Sequence, residues 1–167
     1  MALCQRTPDA DILIDDHALM ASLRPWLEGR MRYNNAAFDP VLEDEIATLS
    51  DPRTPLPHGG VMHIALTPAA TLIDIDAAAA SHIAPLTLNI AFIPEICRQI
   101  RLRNLSGGIL VDFAGLKPAA RAKLTAPLRA ALASDPLRPV CLGISHLGFA
   151  EITRRRIRPP LAETLRI

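Results

Sequence analysis

Gly107-Gly-Ile-Leu-Val-Asp-Phe113 is the stretch that decides the fold. From Gly108 to Phe113 the chain is apolar except for Asp112, the pattern of a strand buried on both faces of a sheet. An ionised carboxylate in that setting is costly unless it is paired, hydrogen-bonded or bound to a metal. Immediately upstream, the spacing predicts a helix from about Thr87 to Asn104. Its Ile93, Ile96, Cys97 and Ile100 form one stripe, with Arg98 and Arg101 off it. Ser106-Gly107-Gly108 ends that helix with the usual C-terminal glycines.

Further out, Val61–Leu66 and Thr71–Asp76 read as two strands joined by the turn Thr67-Pro-Ala-Ala70, a hairpin. Downstream, the pattern predicts a helix over Ala119–Ser134 kinked at Pro127, a strand over Pro139–Ser145 and a last helix over Gly148–Arg156. The order ββαβαβα predicts an α/β domain, a mixed β-sheet flanked by helices with right-handed crossovers. Toward the N-terminus, residues 11–14 read as a short strand, followed by a helix capped by Asp15 or Asp16 and running to about Arg30. Leu19, Leu23, Trp26 and Leu27 recur on it at helical spacing and are expected to face a core. Asp39-Pro40 opens a second helix over Val41–Leu49. The Pro-rich stretch Ser50–Gly60 is the natural boundary. The expected organisation is a small helical N-terminal segment, 1–55, and a main domain, 56–167.

Composition bounds the function. Of the 167 residues, 50% are hydrophobic and 21% charged, which argues for a globular chain and against a disordered one. No apolar run approaches the roughly 18 residues that span a bilayer, and residues 1–8 lack a signal-peptide core, so a cytoplasmic protein with no membrane partner is expected. Cys4, Cys97 and Cys141 form no CxxC pair. They read as reduced thiols, with Cys97 and Cys141 in the core. Net charge is only +1. The acids concentrate early (Asp9–Asp16, Glu43–Glu45) and the bases late (Arg98–Arg103, Arg121–Lys123, Arg154–Arg158), which would make one face positive if the late segments share a surface.

In Thr71-Leu-Ile-Asp-Ile-Asp76, alternation puts Leu72, Asp74 and Asp76 on one face. Asp74 and Asp112 then lie at the carboxyl ends of two strands joined by a helical crossover, the edge at which α/β ligands bind. Magnesium suits two carboxylates completed by waters and phosphate oxygens. Spacing alone also allows, and favours, a plainer arrangement, in which Asp74 caps a strand end and Asp112 accepts backbone hydrogen bonds.

A family resemblance reverses that balance. Leu56-Pro-His-Gly-Gly60, Leu72-Ile-Asp-Ile-Asp76, Arg98-Gln-Ile-Arg-Leu-Arg-Asn-Leu105, Gly107–Phe113 and Ile144-Ser-His-Leu-Gly-Phe-Ala-Glu-Ile-Thr-Arg154 resemble, in order, motifs of the catalytic core of the ribonuclease E/G family. Ile12-Leu-Ile-Asp-Asp16 is similar to the segment upstream of that core. The resemblance implies a DNase I-like fold in which Asp74 and Asp112 hold a catalytic Mg2+. It implies endonucleolytic cleavage of single-stranded RNA, leaving a 5′-monophosphate. Asp76 falls where the family has an asparagine that orients the attack, so Asp74, Asp76 and Asp112 are the candidate catalytic residues. Arg98, Arg101, Arg103, Arg154 and Arg156 are candidates for holding the RNA backbone. Gly115 stands in place of a second family acid, and Pro68 in place of a glutamate. No counterpart of the family's S1 domain, 5′-end sensor or cysteine zinc link is recognised, so oligomeric state is left open. A catalytically weak RNA-binding module that keeps the fold is the alternative.

Overall fold

The computed structural model describes residues 8–27, 29–77 and 82–165. Cys4 and part of the loop after Asp76 lie outside them. The chain divides into two compact units, Met1–Ile46 and Ala47–Ile167, so the division falls earlier than the Pro-rich stretch.

In the first unit, β1 (Ile12–Ile14) pairs in parallel with β2 (Met31–Tyr33) across helix α1 (His17–Leu27). Asp16 is the cap: its Oδ1 accepts the Leu19 N–H at 2.6 Å. The expected apolar stripe of α1 is buried only at Leu27, while Leu19 and Trp26 are exposed. Helix α2 (Pro40–Thr48) follows.

The second unit is built on a six-stranded mixed sheet in the order β3-β4-β5-β6-β8-β7. Its strands are β3 (Arg53–Pro55), β4 (Val61–Leu66), β5 (Ala70–Asp76), β6 (Gly107–Asp112), β7 (Val140–Ile144) and β8 (Ala150–Arg154). Of these, only β5 and β6 run parallel as neighbours, joined by the long helix α3 (Pro85–Leu102). Between β6 and β7 lie α4 (Pro118–Arg121), a 3-10 turn and α5 (Thr125–Leu132); a short α6 (Leu161–Thr164) ends the described chain. The α/β class, the mixed sheet and the flanking helices are as the sequence predicts.

Two expectations are corrected. Residues 150–154 form a strand, not a helix: β8 pairs with β6 on one side and β7 on the other. Ala150, Ile152 and Arg154 alternate inward, and an arginine in that set disguises the two-residue period. Nor is β6 buried on both faces. Ile109 and Val111 pack under the helices beside Ile73, Ile75, Phe92 and Ile96, while Leu110 and Asp112 are only partly covered and Leu72 is exposed. The sheet therefore has one packed face and one open face, the arrangement common for antiparallel and mixed sheets.

Two devices fix the elements around the open edge. Buried Asn89 on α3 donates from Nδ2 to Pro85 O (2.7 Å) and to Ala114 O (2.8 Å), bolting the loop after β6 to the first turns of the helix. Gly60 precedes β4 where a Cβ would stand 2.7 Å from the Phe92 ring and 3.3 Å from the Asp76 carbonyl. Its φ of −67° is open to any residue, so the constraint is space alone. Gly60→Ala is accordingly expected to cost about 1–3 kcal/mol through overpacking. Urea denaturation checks this, and an unchanged midpoint would mean that Phe92 moves aside freely.

Candidate active site at the carboxyl edge of the sheet

In the parallel ladder Asp74 of β5 is the direct partner of Asp112 of β6. Adjacent strands lie about 4.8 Å apart, and residues in register share a face, so the two carboxylates stand side by side. Both belong to the open face, because Ile73, Ile75, Ile109 and Val111 take the packed one. On the other side of Asp74, His63 of β4 is its antiparallel partner. The carboxylates open on a cavity of about 500 Å3, lined further by Asp76, Pro85, Leu88 and Gly115. Its wall includes the first turn of α3, whose N-terminal end carries the positive pole of the helix dipole.

Among the described residues one basic side chain enters this cavity, and the sequence reading did not single it out. Arg121, at the end of α4, donates from Nη1 to Asp112 Oδ1 at 2.9 Å and to the Gly148 carbonyl, and from Nε to Leu116 O at 3.1 Å. The available signal was its place one short loop and one helical turn beyond the strand that ends in Asp112.

The five arginines expected to hold RNA are not gathered here. Arg103 is 7% exposed, and its guanidinium is taken up by Gln99 Oε1, Asp51 O and Thr54 Oγ1. Arg154 is 6% exposed and bound to Asp135, Asn104 and Leu105 O. Both are structural, which corrects the expectation for them: a guanidinium buried in the protein and engaged by internal acceptors is not accessible to a phosphate. Arg98 and Arg101 are exposed, but they lie toward the far end of α3, roughly 15 Å or more along the helix from Leu88. Arg156 reaches Gly107, at the opposite end of β6 from Asp112 and roughly 17 Å away along the strand. These three can meet only a longer RNA path. Cys97 and Cys141 are buried as expected, and burial pushes the Cys97 thiol up to about 12, which leaves it protonated and inert.

The donor set fits a hard divalent cation. Two carboxylates in register line one cavity, Asp112 Oδ2 has no donor among the described residues, and no cysteine or methionine lines it. Among the described residues no group of three or more His, Cys, Asp or Glu side chains could hold a metal. The protein would supply two oxygens and leave the other positions to water and substrate, which is magnesium's habit rather than that of a structural zinc.

An α/β layer with paired carboxylates at the crossover edge places two acids where sheets of this class bind their ligands. Comparison with known proteins gives the family: the model of the Ribonuclease E/G family matches residues 11–157. The chain is 33% identical to Ribonuclease E of Escherichia coli (strain K12) over 129 residues, covering 74% of this chain and 12% of the relative. It is 35% identical to Ribonuclease E of Nostoc over 111 residues, 63% of this chain and 16% of the relative. Against Ribonuclease G of Escherichia coli (strain K12) it is 33% identical over 130 residues, 74% of this chain and 27% of the relative. This chain belongs to the Ribonuclease E/G family. It spans well under a third of the length of these curated relatives. Among the described residues, no helix is long and apolar enough to cross a membrane.

Proposed function

We propose that this chain is a magnesium-dependent endoribonuclease acting on single-stranded RNA in the cytoplasm, with Asp74 and Asp112 as the ligands of the cation. The observation that carries the reading is the direct cross-strand pairing of the two acids on the open face, above a cavity large enough for a nucleotide phosphate and its sugar. Asp112 is held in place by Arg121, so its free oxygen has a fixed direction. Asp74 takes its direction from the strand that carries it. A magnesium ion bound there would lower the pKa of a coordinated water and offset charge developing on the phosphate. By the family resemblance, Asp76, one strand period beyond Asp74, falls where the family has an asparagine that orients the attack. As a carboxylate it can accept a proton from water but cannot donate to a phosphate oxygen.

The test is cleavage of a labelled, unstructured RNA with and without magnesium. Cutting that requires magnesium and fails in Asp74→Asn and Asp112→Asn supports the reading. Absence of cutting at every magnesium concentration would sink it. One observation favours a second reading, a binding module with little activity: Asp112 already has a cationic partner in Arg121, which a metal must share. RNA retained without cleavage is the outcome that reading expects.

A further inference from the structure

We propose that Arg121 is the phosphate anchor of this site, a guanidinium fixed beside Asp112 that takes a phosphodiester oxygen of single-stranded RNA laid across the carboxylates. The inference rests on reading the cavity as a phosphodiester site, and it replaces the dispersed arginine track with one residue. A phosphate needs a cation where it binds. Among the described residues lining the cavity, Arg121 is the one cation, set against the acids Asp74, Asp76 and Asp112.

The bonding of Arg121 leaves it a free donor. Nε is committed to Leu116 O, and Nη1 to Asp112 Oδ1 and Gly148 O, whereas Nη2 has no acceptor among the described residues. Three bonds to three separate segments hold the planar fork rigid, so little side-chain entropy remains to be lost when a phosphate oxygen meets Nη2. The turn before β8 is shaped to it: Gly148, at φ +95°, leaves room where a Cβ would lie 2.8 Å from Nη1. The three acids and the guanidinium together leave a formal charge of −2. Neutralising part of that charge, by a divalent ion in the native site or by Asp74→Asn, which brings it to −1, lets the field of Arg121 reach the substrate.

The experiment measures equilibrium binding of a fluorescent unstructured oligoribonucleotide in magnesium over a series of salt concentrations. The protein carries Asp74→Asn throughout, and a gel confirms that the RNA stays intact. In that background, proteins with Arg121 retained are compared with Arg121→Lys and Arg121→Gln. Arg121→Gln should bind about tenfold more weakly, with a log K against log[salt] slope shallower by about 0.7, the share of one phosphate contact on a single strand. Arg121→Lys should keep the slope.

A merely structural arginine would change the melting temperature and leave the slope alone. An unchanged slope in a folded Arg121→Gln protein, or no RNA binding at all by the Asp74→Asn protein with Arg121 retained, overturns the proposal. A readout free of substitutions at residue 121 is the 15N side-chain resonance of Arg121. It should shift on RNA addition, and a resonance that stays put also overturns the proposal. These results separate from those on cleavage: a protein that cuts with an unmoved slope loses only the anchor, and one that binds through Arg121 without cutting loses only the nuclease reading.

Discussion

Arg154→Met is expected to lower the free energy of unfolding by about 3–5 kcal/mol, the cost of leaving a buried charge without its partner. Arg154 and Asp135 have side chains only 4% and 5% exposed, with Nε 2.8 Å from Oδ2. The guanidinium also donates to Asn104 Oδ1 at 3.0 Å and Leu105 O at 3.1 Å, so it ties β8 to the loop after α3 and to the segment after α5. Methionine fills the volume but meets none of these acceptors. Against a total stability on the order of 5–15 kcal/mol the loss is large, and urea denaturation will read it directly. Adding Asp135→Asn to Arg154→Met should recover part of it, because no lone carboxylate is then buried. A single-variant loss below about 1 kcal/mol would mean that water reaches the pair.

The same pair predicts a pH dependence. Burial pushes the Asp135 carboxyl up, but the Arg154 hydrogen bond, the Leu137 N–H and the charges of Arg154 and Arg101 outweigh it, leaving the pKa below the ordinary 3.8. A depressed folded pKa contributes stability that is fully present above the unfolded value. It drains away as the pH falls from there through the lower folded value. Wild type should therefore lose stability in that acid window, and the Arg154→Met/Asp135→Asn protein should lose less there.

Asp74→Asn and Asp112→Asn are each expected to lower magnesium-dependent RNA cleavage by at least ~10²–10³-fold, about 2.7–4 kcal/mol, the scale of losing one preorganised charge-stabilising group. Asparagine keeps the size and an oxygen but removes the charge that holds a hard cation. The two variants should differ in stability, which separates chemistry from folding. Asp112→Asn gives up the ion pair with Arg121, a pair 43% exposed at the carboxylate and so worth at most about 1 kcal/mol. Among the described residues, Asp74→Asn breaks no comparable pair. Equal loss of cleavage with unequal and small loss of stability is the expected result. If either variant cuts as well as wild type under saturating magnesium, that acid is not a ligand.

The second unit was largely legible in the chain because its signals are local. β4, β5, α3 and β6 follow from alternation, from the helical stripe ending in glycines, and from the apolar run broken by Asp112. The order of those elements also put Asp74 and Asp112 at one edge, since a crossover between parallel strands leaves both carboxyl ends on the same side. The small strands β2 (Met31–Tyr33) and β3 (Arg53–Pro55) escaped because, unlike the apolar Ile12–Ile14, their three residues carry neither an apolar run nor a period. Residues 150–154 were misread because what makes them a strand is pairing on both sides with β6 and β7, and their inward arginine hides the alternation.

Linear sequence therefore determined the α/β class, the two candidate carboxylates and the family. Tertiary structure decided which cations matter. A charge in a sequence has no partner until the fold closes. Arg103 and Arg154 turned inward because acceptors from distant segments, the Asp51 carbonyl, Thr54 and Asp135, compensate the cost of burying them. Arg121 came to Asp112 because the loop after β6 doubles back over the strand end, a closeness that only the packed chain creates.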